Sequence, residues 1–193
     1  MVLGLSNRFN TRMNIPNFIT ILRILMVPVT VWLMISEEFG WAFTVFLIAG
    51  ISDGLDGYLA RRLGEQTELG AYLDPIADKL LLVSAYGVLG IIKVLPAWLV
   101  VMVISRDVLI IGGVLLARLL ERPFAIKPLR ISKMNTAAQI TFAGVALAVL
   151  SSNFNPSLVL QLGGLIVALF TLISGAYYIR DWILHMNKAG DVS

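Results

Sequence analysis

Four aspartates fall in two pairs, Asp53 with Asp56 and Asp74 with Asp78, within an otherwise apolar stretch, SDGLDGYLARRLGEQTELGAYLDPIADKLLL. Spacings of three and four residues put each pair on one face of a helix. Carboxylates gathered away from bulk water repel one another and take up protons unless positive charge sits among them. One or two divalent cations meet that need, and an all-oxygen set without His or Cys suits Mg²⁺ or Mn²⁺ better than zinc. Gly54 and Gly57 alternate with the acids and leave room for a bulky ligand to approach the helix backbone. Arg61, one turn beyond Gly57, is placed to meet a phosphate.

Two other readings of the acids stay open. They could be structural ion pairs with Arg23, Lys79 and Arg106, or they could line a cation-transport path. Charged groups within apolar helices usually mark a functional site. Against a transport path, no chain of polar groups continues beyond Lys93, Asn153 or Asn155.

The elements that must hold these residues are apolar helices. The chain has 193 residues, of which 58% are hydrophobic and 14% charged, a balance rare in soluble domains. Several apolar runs are long enough to cross a hydrocarbon core about 30 Å thick, and none alternates with the period of two that a membrane barrel needs. Six spans are expected, at 15–36, 40–62, 70–93, 95–119, 133–152 and 157–184, forming one all-α integral membrane domain over residues 1–193. Residues 1–14 form a juxtamembrane segment in which Val2, Leu3, Leu5 and Phe9 oppose Arg8 and Arg12, as in a short interfacial amphipathic helix or a disordered tail. The opening sequence lacks the pattern of a cleavable signal, so the first span is expected to be retained.

Basic residues collect at one end of the spans: Arg8, Arg12, Arg61, Arg62, the stretch from Arg118 to Lys133, Arg180 and Lys188, with Lys93 alone opposite. By the positive-inside rule that end, carrying both termini, is cytoplasmic, or on the matrix side of a mitochondrial inner membrane. The second and third spans run antiparallel, so both acid pairs lie roughly 6 to 14 Å below that face and can confront each other at one depth. A net charge of +3 fits a protein resting on anionic lipid, and no basic run interleaved with aromatics points to nucleic acid. The absence of cysteine removes disulfides and thiolate metal sites.

The acidic stretch resembles the signature of the CDP-alcohol phosphatidyltransferases, D-x2-D-G-x2-A-R-x8-G-x3-D-x3-D. Its fixed positions are Asp53, Asp56, Gly57, Ala60, Arg61, Gly70, Asp74 and Asp78. The resemblance implies transfer of a phosphatidyl group from a CDP-linked lipid to an alcohol with release of CMP. It implies two metal ions held by Asp53, Asp56, Asp74 and Asp78, with Asp78 also the general base. Gly57, Ala60 and Arg61 then match nucleotide-binding positions for CDP-diacylglycerol. Members of this family often pair as homodimers, and the small residues of GGLIVALF and SGAYY in the sixth span could pack a second helix.

In the first span, Asn17, Thr20 and Arg23 resemble the N-x2-T-x2-R element of the branches that make phosphatidylglycerophosphate and cardiolipin. Repeated at three-residue spacing, they could face the donor lipid, although Asn17 also fits a helix cap after Pro16. ISRDVLIIGGVLLAR and IKPLRISKMNTAAQ resemble the CMP-forming, eukaryotic-type cardiolipin synthases, whose acceptor is phosphatidylglycerol. Phosphatidylglycerophosphate synthases more often carry Lys at the position of Asn135, which suits the nearly dianionic glycerol 3-phosphate. Arg106, Lys127, Arg130, Lys133 and Asn135 are thus expected to line the acceptor site. For Arg106 a buried pair with Asp107 is the other reading, and for Lys127 and Arg130 ordinary loop charge. Gln139 is expected to hydrogen-bond between helices.

Overall fold

The computed structural model describes residues 15–63, 68–119, 130–152 and 155–190, and side chains within 18–54, 76–112, 131–152 and 155–181. Six helices account for them: α1 (Ile15–Ile35), α2 (Phe39–Leu63), α3 (Glu68–Ile91), α4 (Ala97–Leu119), α5 (Arg130–Leu150) and α6 (Ser157–Gly190). Each coincides with one of the six apolar runs, with ends shifted by a few residues. The first fourteen residues lie outside the described residues.

α1 packs extensively against both α2 and α3, while α2 and α3 touch each other only slightly. The two acid-bearing helices are therefore not simply face to face; α1 is wedged between them. α5 joins the halves of the bundle by packing on α2 and α6, and α4 completes it against α6 and α3. Small buried residues at these seams, Ala42 and Ala49 on α2 and Ala143 and Ala146 on α5, permit close helix approach. Gly163 and Gly164 serve the same purpose within the chain. A Cβ on Gly163 would collide with the Phe142 ring of α5, and one on Gly164 would meet Leu99 Cδ2 of α4 at 3.2 Å. Those two glycines, expected as a surface for a second helix, are taken up by the chain's own packing.

Two turns at one end repeat a single device. After α1, Glu38 N donates to Leu33 O at 2.9 Å and Glu37 N to Met34 O at 3.2 Å; after α3, Val94 N donates to Leu89 O at 2.9 Å and Lys93 N to Gly90 O at 3.1 Å. Both are Schellman caps, and both place a non-glycine residue in the left-handed region, Glu37 at φ 61° and Lys93 at φ 60°. The start of α6 is capped by Asn155, whose Oδ1 accepts the Ser157 amide at 3.0 Å.

The surface of the described residues is apolar, and a few polar and charged side chains are buried within an apolar core. Phe18, Leu25, Leu109, Leu165, Leu169 and Leu172 point outward, whereas Arg23, Arg106, Asp107, Asn135 and Gln139 are buried. Trp32, Trp41 and Trp98 are 65%, 65% and 51% exposed, and all three sit at the bundle end that carries the Glu37 and Lys93 turns. Two helical stretches, Phe18–Ile35 and Ser157–Asp181, are long and apolar enough to cross a membrane, with mean hydropathies of 2.2 and 2.1.

Candidate active site

The first cluster forms where α1, α2 and α3 meet. Arg23 lies eight residues into α1 and is fully buried; its Nη1 donates to Asp53 Oδ1 of α2 at 2.7 Å and to Asp78 Oδ1 of α3 at 2.8 Å. A guanidinium survives in an apolar interior because carboxylates accept its protons. The two carboxylates, carried by different helices, thereby converge on one atom. They are not sealed in with it, since their side chains remain 40% and 36% exposed. Gly54, beside Asp53, is also exposed, and a Cβ there would meet nothing within 4 Å. One flank of the cluster is thus open to a ligand.

Two converging, partly open carboxylates are donors that a hard divalent cation accepts, so the residues present fit such an ion. No group of three or more His, Cys, Asp and Glu side chains gathers among the described residues. Of the other two expected ligands, Asp56 follows Asp53 by three positions on the α2 backbone and Asp74 precedes Asp78 by four on α3. Their side chains, with those of Asn17, Ala60, Arg61 and Arg130 and the surroundings of Gly57, lie outside what is described, as does Lys127 altogether. Thr20, one turn before Arg23, is buried.

The ion-pair alternative is met in part. Arg23 does bind Asp53 and Asp78, but Lys79 and Arg106 turn instead to Asp107, which gathers a second cluster among α3, α4, α5 and α6. Asp107 Oδ1 accepts from Arg106 Nη1 at 2.7 Å, and its Oδ2 accepts from Lys79 Nζ. Arg106 Nη2 donates to Ser132 Oγ of α5 at 2.7 Å and to Ser174 Oγ of α6 at 2.6 Å. The guanidinium carbon also lies 5.9 Å from the centre of the Tyr178 ring, within cation–π range. One turn deeper, Thr171 Oγ1 donates to Asn135 Oδ1 at 3.0 Å and accepts from Gln139 Nε2 at 3.4 Å, while Tyr86 donates to the Gln139 carbonyl at 3.2 Å. Gln139 therefore bonds between helices as its type and place suggested.

Among the expected acceptor residues, Lys133 is exposed near the start of α5, whereas Arg106 and Asn135 are interior. The buried Arg106–Asp107 pair was one of the two readings of Arg106, whereas sequence reasoning missed Lys79 as the second partner of Asp107 and the part played by α6. A signal existed: Thr171, Ser174 and Tyr178 recur at three- and four-residue spacing in an apolar helix and so mark one polar face.

A family model described as CDP-alcohol phosphatidyltransferase matches residues 13–177. Human cardiolipin synthase (CMP-forming) is 37% identical over 179 residues, covering 84% of this chain and 59% of that protein. The Schizosaccharomyces pombe cardiolipin synthase (CMP-forming)/mitochondrial hydrolase fusion protein is 34% identical over 179 residues, 85% of this chain and 30% of that one. A chloroplastic CDP-diacylglycerol–glycerol-3-phosphate 3-phosphatidyltransferase of Oryza sativa is 34% identical over 152 residues, 70% and 46% of the two chains. The chain thus spans about three fifths of the human relative's length, 59%. With a family model matched across most of its helices and the signature acids Asp53 and Asp78 brought to one arginine, this chain belongs to the membrane-bound CDP-alcohol phosphatidyltransferase family.

Proposed function

We propose that the protein is a six-span membrane enzyme that transfers the phosphatidyl group of CDP-diacylglycerol to phosphatidylglycerol, giving cardiolipin and CMP. The observation that carries this is the convergence of Asp53 and Asp78 beside an open flank, at signature positions of the family. The apolar exterior and the aromatic residues at one end support all six helices spanning, with the opposite end, bearing the signature residues, cytoplasmic.

Asp53, Asp56, Asp74 and Asp78 would hold two Mg²⁺ or Mn²⁺ ions, which when bound neutralise the pyrophosphate and the charge developing on the leaving CMP. The chain's own groups do the rest. Asp78 accepts the proton of the acceptor hydroxyl as its oxygen forms a bond to the β-phosphorus and the bond from that phosphorus to CMP breaks. Arg23 holds Asp53 and Asp78 to each other, which orients the base before any substrate arrives. Gly57, Ala60 and Arg61 bind the nucleotide, with Asn17 and Thr20 on the α1 side of the donor. Lys127, Arg130 and Lys133 form a basic rim where an anionic acceptor enters.

A second reading, with glycerol 3-phosphate as acceptor, is favoured by the similarity to the rice phosphatidyltransferase. Purified protein given CDP-diacylglycerol, Mn²⁺ and one acceptor at a time separates the two. Product with phosphatidylglycerol alone is expected; product with glycerol 3-phosphate alone establishes the second reading, and no product with either sinks both. Chelation with EDTA should abolish turnover, and Mg²⁺ or Mn²⁺ should restore it.

A further inference from the structure

Asp107 is one carboxylate serving two cations. Lys79 and Arg106 both donate to it, so the cluster carries one positive charge more than its acid balances. Asp107 and Arg106 are buried, at 4% and 6% side-chain exposure, but Lys79 is 27% exposed. The surplus falls on the one member that reaches the surface, where an anion can meet it.

The hydrogen bonds point the same way. Among the described residues Arg106 Nε and Asn135 Nδ2 are buried donors with no partner, and an ammonium has three protons of which Asp107 takes one. Against them, among the described residues, stands Gln139 Oε1, a buried acceptor one turn deeper on α5.

Placement supplies the rest. Lys79 follows Asp78 directly, and neighbouring residues on a helix diverge by about 100°. Asp78 accordingly looks toward α1 and α2, and Lys79 toward α4. Both keep part of their side chains open.

We propose that Lys79, steered by Asp107, binds the phosphate of the acceptor while the acceptor hydroxyl is presented to Asp78. The ligand is a phosphate ester anion, either a lipid phosphodiester or a soluble phosphomonoester. Asp107 is a positioning residue in this scheme, and Arg106, fixed by Ser132 and Ser174, is the anchor behind it. The proposal rests on the phosphatidyl-transfer reading only for its kinetic arm.

The binding arm needs no turnover. Full-length wild type, Lys79→Met, Lys79→Arg and Asp107→Asn are compared by native mass spectrometry for binding phosphatidylglycerol, diacylglycerol of the same chains, and glycerol 3-phosphate. Lys79→Met should weaken one phosphate ester by about tenfold, the scale of one charge-assisted hydrogen bond, and leave diacylglycerol binding unchanged. Lys79→Arg should recover most of that loss, and Asp107→Asn should lose part of it. Whichever ester responds identifies the source of the anion. In turnover, Lys79→Met should raise KM for that acceptor by a similar factor with KM for CDP-diacylglycerol unmoved. Equal binding of both esters by wild type and Lys79→Met, or an equal shift in both KM values, overturns the proposal. A wild type that gives no product with either acceptor fails the transfer reading instead, and the binding comparison still decides Lys79. Lys79→Met leaves the Arg106–Asp107 pair in place; should it not fold, Lys79→Gln takes its role.

Discussion

Asp78 is asked to do two things that chemistry can separate. It accepts a hydrogen bond from Arg23 at 2.8 Å, and in the proposed reaction it accepts a proton. An amide oxygen performs the first task and not the second. Asp78→Asn should therefore keep the fold and CDP-diacylglycerol binding while turnover falls by about 10²- to 10⁴-fold, measured as CMP release. Turnover within a few-fold of wild type would remove Asp78 as the base. The pairing of Asp53 and Asp78 was legible from spacing, and Arg23 was one of three cations offered as their partner, but which of the three it would be was not. Arg23 lies 30 and 55 residues from them, and only the wedging of α1 between α2 and α3 brings the three together. Asn135 shows the opposite limit. Residue type marked it as a hydrogen-bonding group, yet its position around α5, which seals it against Thr171, is not written in the local sequence.

At the scale of elements, the two Schellman caps hold α1 and α3 to tight turns at the end remote from Arg23. Each does so with a side chain in a backbone region that favours glycine, at a cost of about 1–2 kcal/mol for an L-residue. Lys93 is exposed in its turn, so Lys93→Gly removes strain without emptying a packed site. Glycine's greater freedom in the unfolded chain offsets part of the gain. A net stabilisation of about 0.5–1 kcal/mol is expected, read as a rise of about 2 °C in the thermal transition with turnover unchanged. A fall in the transition would show that the Lys93 side chain contributes more than its backbone costs. The helices themselves were legible because each apolar run ends at Gly, Pro, Asn or a charged residue. The seams between them were not. Gly163 and Gly164 are alike in sequence, and only the structure shows one against α5 and the other against α4.

For the whole molecule, an exterior as apolar as the core, with Arg23, Arg106 and Asp107 buried inside, differs from a soluble fold and is the expected response to lipid. In the proposed six-span arrangement the turns after α1, α3 and α5 lie together and α6's far end lies opposite. The chain has no cysteine, so single cysteines report position without background. In sealed right-side-out vesicles, Glu38→Cys and Ser152→Cys should react together with an impermeant maleimide, and Arg180→Cys only after permeabilisation. Reaction of all three from one side would sink the six-span arrangement.

The tryptophans at one end also set a depth. Trp32 precedes the end of α1 by three residues and lies nine from Arg23; Trp98 lies nine from Asp107 on α4. At 1.5 Å per residue both polar centres sit about 14 Å from the level where indole rings anchor, close to the middle of a hydrocarbon layer about 30 Å thick. In the proposed reaction the lipid phosphates ride in the headgroup plane, so they must sink toward these side chains or the bilayer must thin around them. Membrane thickness then enters the reaction as a mechanical variable, set against a ruler of nine helical residues.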